Sequence, residues 1–344
     1  MKRAVILSSL VLTGLVAAAV SAQRAVLPPP TKIEKVKGNL YKIFGGGGNT
    51  TVYVRSNGVV LVDTKLANYG QAILDQVRTI TDKPVTMIIN THVHPDHNGS
   101  NQFFKDQRPT VDVVLQENSA ALVAKNPQST SGQKPTKTFK DRLTLGAGRD
   151  RIDLYYFGAG HTNGDAFVVF PAERAMAIGD LMAWNMAPLI DPGSGGSVVA
   201  LPDTLEKASK GIKNVDIVIE GHGFANSWAD FLTYTQFNRD LLTQSKAALA
   251  AGKWPVDVLA VLEKNPKYAL LTRDKMLPGL EYGGTAKGRV LINARVAFQE
   301  LRGEKVTTNF AGFLPGEPGA PPPPVAGARP APPPSAPPAA QHQH

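Results

Sequence analysis

The stretch NTHVHPDHNGSNQFF, residues 90–104, places three histidines and an aspartate within six positions: His92, His94, Asp96 and His97. The whole chain of 344 residues has only seven histidines. Directly upstream, PVTMII at 84–89 is a short apolar run of the kind that fills a buried strand. Ionisable groups crowded at a strand end disfavour one another unless a counter-charge sits among them. Either these four splay into water, or a cation holds them together.

Outward from this stretch, β-rich runs alternate with helical spacing. NLYKIFG, TTVYVRS and GVVLVDT, within 39–64, read as a meander of strands. The GGGG at 45–48 lacks a following Lys-Ser/Thr and opens another strand, so it reads as a mobile hairpin loop rather than a phosphate loop. Residues 67–80 carry Ile73, Val77 and Ile80 at helical spacing, a short helix is expected around Ser100–Phe104, and VDVVLQ at 111–116 is the next strand. RIDLYYFG (151–158), AFVVF (166–170), RAMAIG (174–179) and VDIVIEG (215–221) follow, and 225–305 reads as helical. Mixed elements in this order predict an α/β (α+β) fold of sheets covered by helices.

The later strands end on further candidate ligands. Strand 151–158 runs into His161, 174–179 into Asp180, and 215–221 into His222. All five histidines of the body therefore lie just past strand ends, where ligand sites gather in α/β architectures. In extended backbone His92, His94 and Asp96 point the same way, and Pro95 then turns the chain and redirects His97. Imidazole and carboxylate suit zinc, and also iron or manganese. Seven ligands exceed one tetrahedral ion and suit two ions about 3.5–4 Å apart.

The motif His92-x-His94-x-Asp96-His97, with His161 in GHTNGD, Asp180 in GD, His222 in GHG and Asp63 in VLVDT, resembles the metallo-β-lactamase-fold hydrolase superfamily over about residues 39–223. The resemblance implies a four-layer αββα sandwich with two zinc ions per chain at one edge. It assigns His92, His94 and His161 to one metal, Asp96, His97 and His222 to the other, and Asp180 as the bridge. Asp63 would orient the site from behind the ligands, and Asp96 would orient the attacking hydroxide while holding its metal. The implied activity is hydrolysis of a carbonyl substrate: an ester, thioester, lactone or lactam. Lactamases of the first subclass carry cysteine where this chain has Asp180, and the third subclass has a further histidine where this chain has Asn98. The Asp180 bridge is similar to glyoxalase II, lactonases and other exported hydrolases. His94 argues against the family's redox flavoproteins. The alternatives are a zinc β-lactamase, a phosphodiesterase or nuclease, a mononuclear iron persulfide dioxygenase, and a metal-storing module.

Composition narrows the partners. The formal charge is +9, and a basic stretch runs from Lys125 to Arg151. Asp141 and Asp150 interrupt it and interleaved aromatics are scarce, so no nucleic acid is expected and a small-molecule substrate is. The chain has no cysteine, which excludes disulfides and thiolate metal sites. Residues 1–22 read as a signal peptide cleaved after Ala22, which predicts export to the periplasm or medium and no stable membrane association afterwards. Residues 315–344, with 12 of the 27 prolines and a terminal QHQH, read as a solvated tail. The folded body is expected over 31–312, with a motif core at 39–223 and the helical segment at 225–305. Trp184 and Met186, in the loop after Asp180, are the candidate substrate contacts. Oligomeric state is open.

Overall fold

Alternation along the strands decides the layering. In the computed structural model, which describes residues 32–274 and 285–307, β4 (Gly58–Val62) turns Val60 and Val62 to one face and Val59 and Leu61 to the other. β10 (Phe167–Phe170) splits likewise, with Val168 and Phe170 on one face and Phe167 and Val169 on the other. Strands apolar on both faces must be covered on both faces. The result is three apolar layers between four structural ones. The central layer joins Tyr53, Val62 and Ile89 to Leu154, Val168 and Phe170, between the two sheets. One outer layer covers the first sheet with α1 (Gly70–Arg78), α3 (Asn101–Gln107) and α4 (Glu117–Lys125), through Ile73, Val77, Phe104 and Val123. The other covers the second sheet with α5 (Leu201–Gly211), α6 (Trp228–Ala250), α7 (Pro255–Leu262) and α8 (Ala286–Arg302), through Leu205, Phe231, Phe237, Val258 and Val290. This is the expected αββα sandwich with additional C-terminal helices.

The first sheet takes β1 (Glu34–Lys37), β2 (Leu40–Ile43), β3 (Thr50–Arg55), β4, β5 (Val85–Ile89), β6 (Asp112–Gln116) and β7 (Lys137–Phe139) in sequence order. The second runs β13 (Ala225–Ser227), β12 (Ile217–Ile219), β11 (Ala175–Ala177), β10, β9 (Ile152–Tyr155) and β8 (Arg142–Leu145). β4 and β5 are parallel, as are β11 and β12. Their C-terminal ends therefore open on one edge of each sheet, and these ends carry Asp63, the 90–98 segment, Asp180 and His222.

Three local expectations change. The basic stretch contains β7 and β8, short strands whose outward residues are Lys, Thr and Arg, so no apolar alternation announces them. The 225–305 segment opens on a strand, β13, before Ser227 caps α6 by accepting from Asp230 N at 3.1 Å. Gly45–Gly48 is buried throughout and cannot be a free hairpin. Gly48 N donates to Asp96 O at 2.9 Å, Leu66 N donates to Gly46 O at 3.1 Å, and a Cβ at Gly48 would stand 2.2 Å from His97 Cε1. These glycines let backbone lie against the histidine cluster. The signal-peptide region, the tail with its QHQH, and the outermost residues of the 31–312 body lie outside the described residues.

Candidate metal centre

Local backbone explains how one short segment serves two ligand sets. His94 is extended (φ −68°, ψ 146°), and Pro95 occupies the first turn of a four-residue helix, α2 (Pro95–Asn98). Asp96 therefore does not share a row with His92 and His94. The helical turn swings Asp96 and His97 toward His222, while His92 and His94 meet His161. His94 Nδ1 lies 2.9 Å from His161 Nε2. His97 Nε2 lies 3.2 Å from His222 Nε2, and His222 Nε2 lies 3.1 Å from Asp96 Oδ2.

Asp180 stands between the sets. Its Oδ1 is 3.2 Å from His97 Nε2 and 3.4 Å from His222 Nε2, and its Oδ2 is 3.8 Å from His161 Nε2. The glycine after β12 makes this possible: a Cβ at Gly221 would sit 1.9 Å from Asp180 Oδ1. Three groups place one donor atom each within 4.8 Å of one another: His92, His94 and His161; His92, His97 and Asp180; and Asp96, His97 and His222.

The donor set fits divalent metal. His92 Nε2 and Asp180 Oδ1 are buried without a hydrogen-bond partner, an arrangement that costs stability unless something else binds them. Asp180 Oδ1 is close to two imidazole nitrogens yet aligned with neither as an acceptor, so these atoms converge on shared points rather than on each other. The charges point the same way. Burial, together with the neighbouring histidines, pushes His92 well below the usual imidazole value, and burial chiefly holds His161 at about 4. Burial also opposes charge on His222, but Asp180 and Asp96 outweigh it and lift this group to about 9; His97 is raised for the same reason. Asp96, despite burial, is held at about 2 by His97 and His222. The part of the cluster around Asp96 and Asp180 favours positive charge, while burial keeps His92 and His161 neutral, with free lone pairs.

Groups behind the ligands fix their rings. Asp63 is 2 % exposed and left-handed (φ 63°), a backbone state rarely kept by non-glycine residues except at constrained sites. Its Oδ2 accepts from Thr91 Oγ1 at 2.7 Å and pairs with His97 Nδ1 at 2.8 Å, and its Oδ1 accepts from Thr91 N at 2.8 Å. That contact leaves His97 Nε2 for the centre. The sequence did not single out Asp191, whose Oδ2 pairs with His94 Nε2 at 2.9 Å and leaves Nδ1 for the centre. His161 Nδ1 pairs with the Leu189 carbonyl in the same manner.

Of the two candidate substrate contacts, Trp184 lies at the site and Met186 does not face it. The Trp184 ring stacks on His222 with centroids 4.2 Å apart and planes at 15°, and Arg289 lies 5.0 Å from its centroid. Arg273 donates to the carbonyls of Trp184 (3.0 Å) and Asn185 (2.8 Å), holding two consecutive left-handed residues (φ 56° and 49°). Met186 is 1 % exposed and bridges back to Ala183 through its backbone. Leu189 and Phe224 are exposed apolar residues, two positions from Asp191 and His222 in the chain.

Residues 43–183 match the family model of the metallo-beta-lactamase superfamily. Over these residues the chain is similar to that superfamily. Among curated relatives, a metallo-beta-lactamase type 2 of Elizabethkingia meningoseptica is 28% identical over 229 residues, covering 63% of this chain and 86% of the relative. The 2,4-dinitroanisole O-demethylase subunit alpha of Nocardioides sp. (strain JS1661) is 31% identical over 172 residues, 46% of this chain and half of that one. Among solved structures, a metallo-beta-lactamase from Pontibacter korlensis superposes with a TM-score of 0.51 at 21% identity, over 60% of this chain and 98% of that one. The sec-alkylsulfatase Pisa1 from Pseudomonas sp. reaches a TM-score of 0.59 at 16% identity, over 78% of this chain and 50% of that one. Both superpositions carry the fold. The superfamily is one of metal-binding hydrolases, and the His/Asp groups of this chain are of the kind that hold metal.

Proposed function

We propose that this chain is a zinc-dependent hydrolase of a small carbonyl substrate, an ester, thioester, lactone or lactam. The observation that carries the reading is the pair of ligand sets joined at Asp180, with His92 Nε2 and Asp180 Oδ1 buried and otherwise unpartnered. In this reading His92, His94 and His161 hold one ion, Asp96, His97 and His222 the other, and Asp180 both. Bound divalent ions supply Lewis acidity toward the substrate oxygen and acidify water.

The chain's own residues do the rest. Asp63 and Asp191 fix the imidazole tautomers, so that His97 presents Nε2 and His94 presents Nδ1. The Asp96 side chain is 29% exposed, against 9% for Asp180, so it is the carboxylate that both joins a ligand set and reaches solvent. It is placed to orient the attacking water. Trp184, with Leu189 and Phe224, borders the ligands with apolar surface, which suits an uncharged acyl or aryl group. We also infer export, from the leader-like residues 1–22.

The test is a hydrolysis panel on the zinc-loaded protein: aryl esters, a lactone, a glutathione thioester, a cephalosporin reporter and a phosphodiester. The O-demethylase relative adds an aryl methyl ether to the panel. Zinc-dependent turnover of a carbonyl substrate supports the reading. Turnover confined to the ether or the phosphodiester, or iron rather than zinc in the active protein, overturns it.

A further inference from the structure

Outside the histidine cluster the least explained group is Arg55. It ends β3, whose first residue follows Asn49, a residue bonded from its backbone N to Gly221 O beside the cluster. At about 3.3 Å per residue, β3 sets Arg55 roughly 20 Å from Asn49, at the opposite edge of the sandwich. Only 7% of Arg55 is exposed, and its Nε is buried without a hydrogen-bond partner. Its guanidinium reaches the β8–β9 turn, where a Cβ at Gly146 would stand 3.5 Å from Nη1. An arginine keeps its charge when buried, and burying that charge is costly without a partner.

Arg55 opens on a cavity of about 370 Å³ that Asn39, Ser56, Lys83, Arg149 and Asp150 also line. Lys83 Nζ donates to the backbone carbonyl of Arg55 at 2.8 Å, which fixes the ammonium at the end of β3 where the cavity lies. Arg142 and Arg151, close by in sequence, both pair with Asp153, whereas no ion pair among the described residues reaches Arg55, Lys83 or Arg149. The one carboxylate in the lining, Asp150, is engaged by Ser56: its oxygens accept from Ser56 N at 3.1 and 3.0 Å, and Oδ2 also from Ser56 Oγ. Three cations line the cavity with one committed carboxylate, and the Glu173 carboxylate stands behind it on Asn39 N at 3.1 Å.

We propose that this cavity binds a phosphate group, either inorganic phosphate or the terminal group of a phosphomonoester. Arg55 supplies the planar fork, and Lys83 and Arg149 supply flanking charge. A phosphate group offers these donors three acceptor oxygens, where a carboxylate offers two. The volume exceeds that of phosphate alone and leaves space for a small organic body.

The experiment is thermal unfolding of the zinc-loaded protein against rising inorganic phosphate, glycerol phosphate and acetate. It is run on the wild type, on Arg55→Gln, and on the double variant Lys83→Gln/Arg149→Gln. Phosphate binding at the histidine cluster is common to all three proteins, so differences among them isolate the cavity. The expected result is a phosphate Kd weakened about tenfold or more in both variants, with hydrolase turnover in phosphate-free buffer unchanged. A stronger wild-type response to glycerol phosphate than to inorganic phosphate assigns an organic ligand, and the reverse assigns the free ion. The proposal is overturned if all three proteins respond alike, or if acetate stabilises the wild type as much as phosphate does. Should Arg55→Gln fail to fold, the double variant at two exposed positions carries the test alone.

Discussion

Replacing Asp63 by asparagine changes the chemistry of one atom behind the metal centre. The amide oxygen can keep the bond from Thr91 N, now 2.8 Å from Oδ1. The Oδ2 position cannot be kept, because it takes both Thr91 Oγ1 at 2.7 Å and His97 Nδ1 at 2.8 Å, and an amide nitrogen there meets two donors. At about 1.5–3 kcal/mol for each hydrogen bond to a charged group, losing two costs roughly 3–6 kcal/mol. The Thr91 hydroxyl can rotate to accept from the amide, which leaves a net loss of about 2–4 kcal/mol. His97 must then lose its partner or move its proton to Nε2, the atom 3.2 Å from both His222 Nε2 and Asp180 Oδ1. Disrupting an outer partner of this kind lowers metal affinity about 10–100-fold. The weakening should fall on the set that contains His97, with the His92/His94/His161 set much less affected. Competition against a chromophoric chelator reads the two zinc constants, and urea unfolding of the metal-free protein reads the stability term. Two unchanged constants, or equal weakening of both, would refute the reasoning.

Asp180→Ala takes an oxygen from both sets, so bound zinc should fall from two ions toward none along with turnover; elemental analysis showing full occupancy would remove the bridge. Asp191→Asn should weaken the His94 set selectively, and by less than Asp63→Asn weakens its own set, because the Asp191 side chain is 33% exposed; chelator competition orders the two. Trp184→Ala removes a ring stack worth about 0.5–1.5 kcal/mol, so zinc should bind the His222 set roughly 2–12-fold more weakly, again by chelator competition. Burial holds Lys65 well below the usual lysine range, so the unfolded chain takes up its proton first as pH falls from 10.5. Folding stability should therefore fall with decreasing pH across that window, by up to about 1.4 kcal/mol per unit, and Lys65→Met should remove this slope in urea midpoints. Export should leave Gln23 as the first residue by N-terminal sequencing, and a retained Met1 would sink the leader reading.

The candidate ligands were legible because the sequence clusters them and each follows an apolar strand. Asp63 was legible for the same reason, at the end of GVVLV. What lay behind them was not. Asp191 sits in DPGSGG, where an aspartate before Pro-Gly reads as ordinary turn chemistry, and only the folded loop brings it to His94. Trp184 and Arg289 are more than 100 residues apart, so their stack belongs to tertiary structure. The Gly45–Gly48 loop misled because glycine runs signal freedom in sequence, whereas here they permit close packing on His97. β7 and β8 escaped because their exposed faces carry charge, which masks a two-residue period.

The proposed ligands come from both sheets. His92, His94, Asp96 and His97 extend from the first, and His161, Asp180 and His222 from the second. A chain that has assembled only its first sheet offers two histidines to one ion and an Asp-His pair to the other, and so binds either poorly. With two zinc ions held as proposed, tight uptake would report that the two sheets have docked in register, and each ion would tie one sheet to the other. Zinc in the medium should accordingly act late in refolding, slowing separation of the sheets more than it speeds formation of either one.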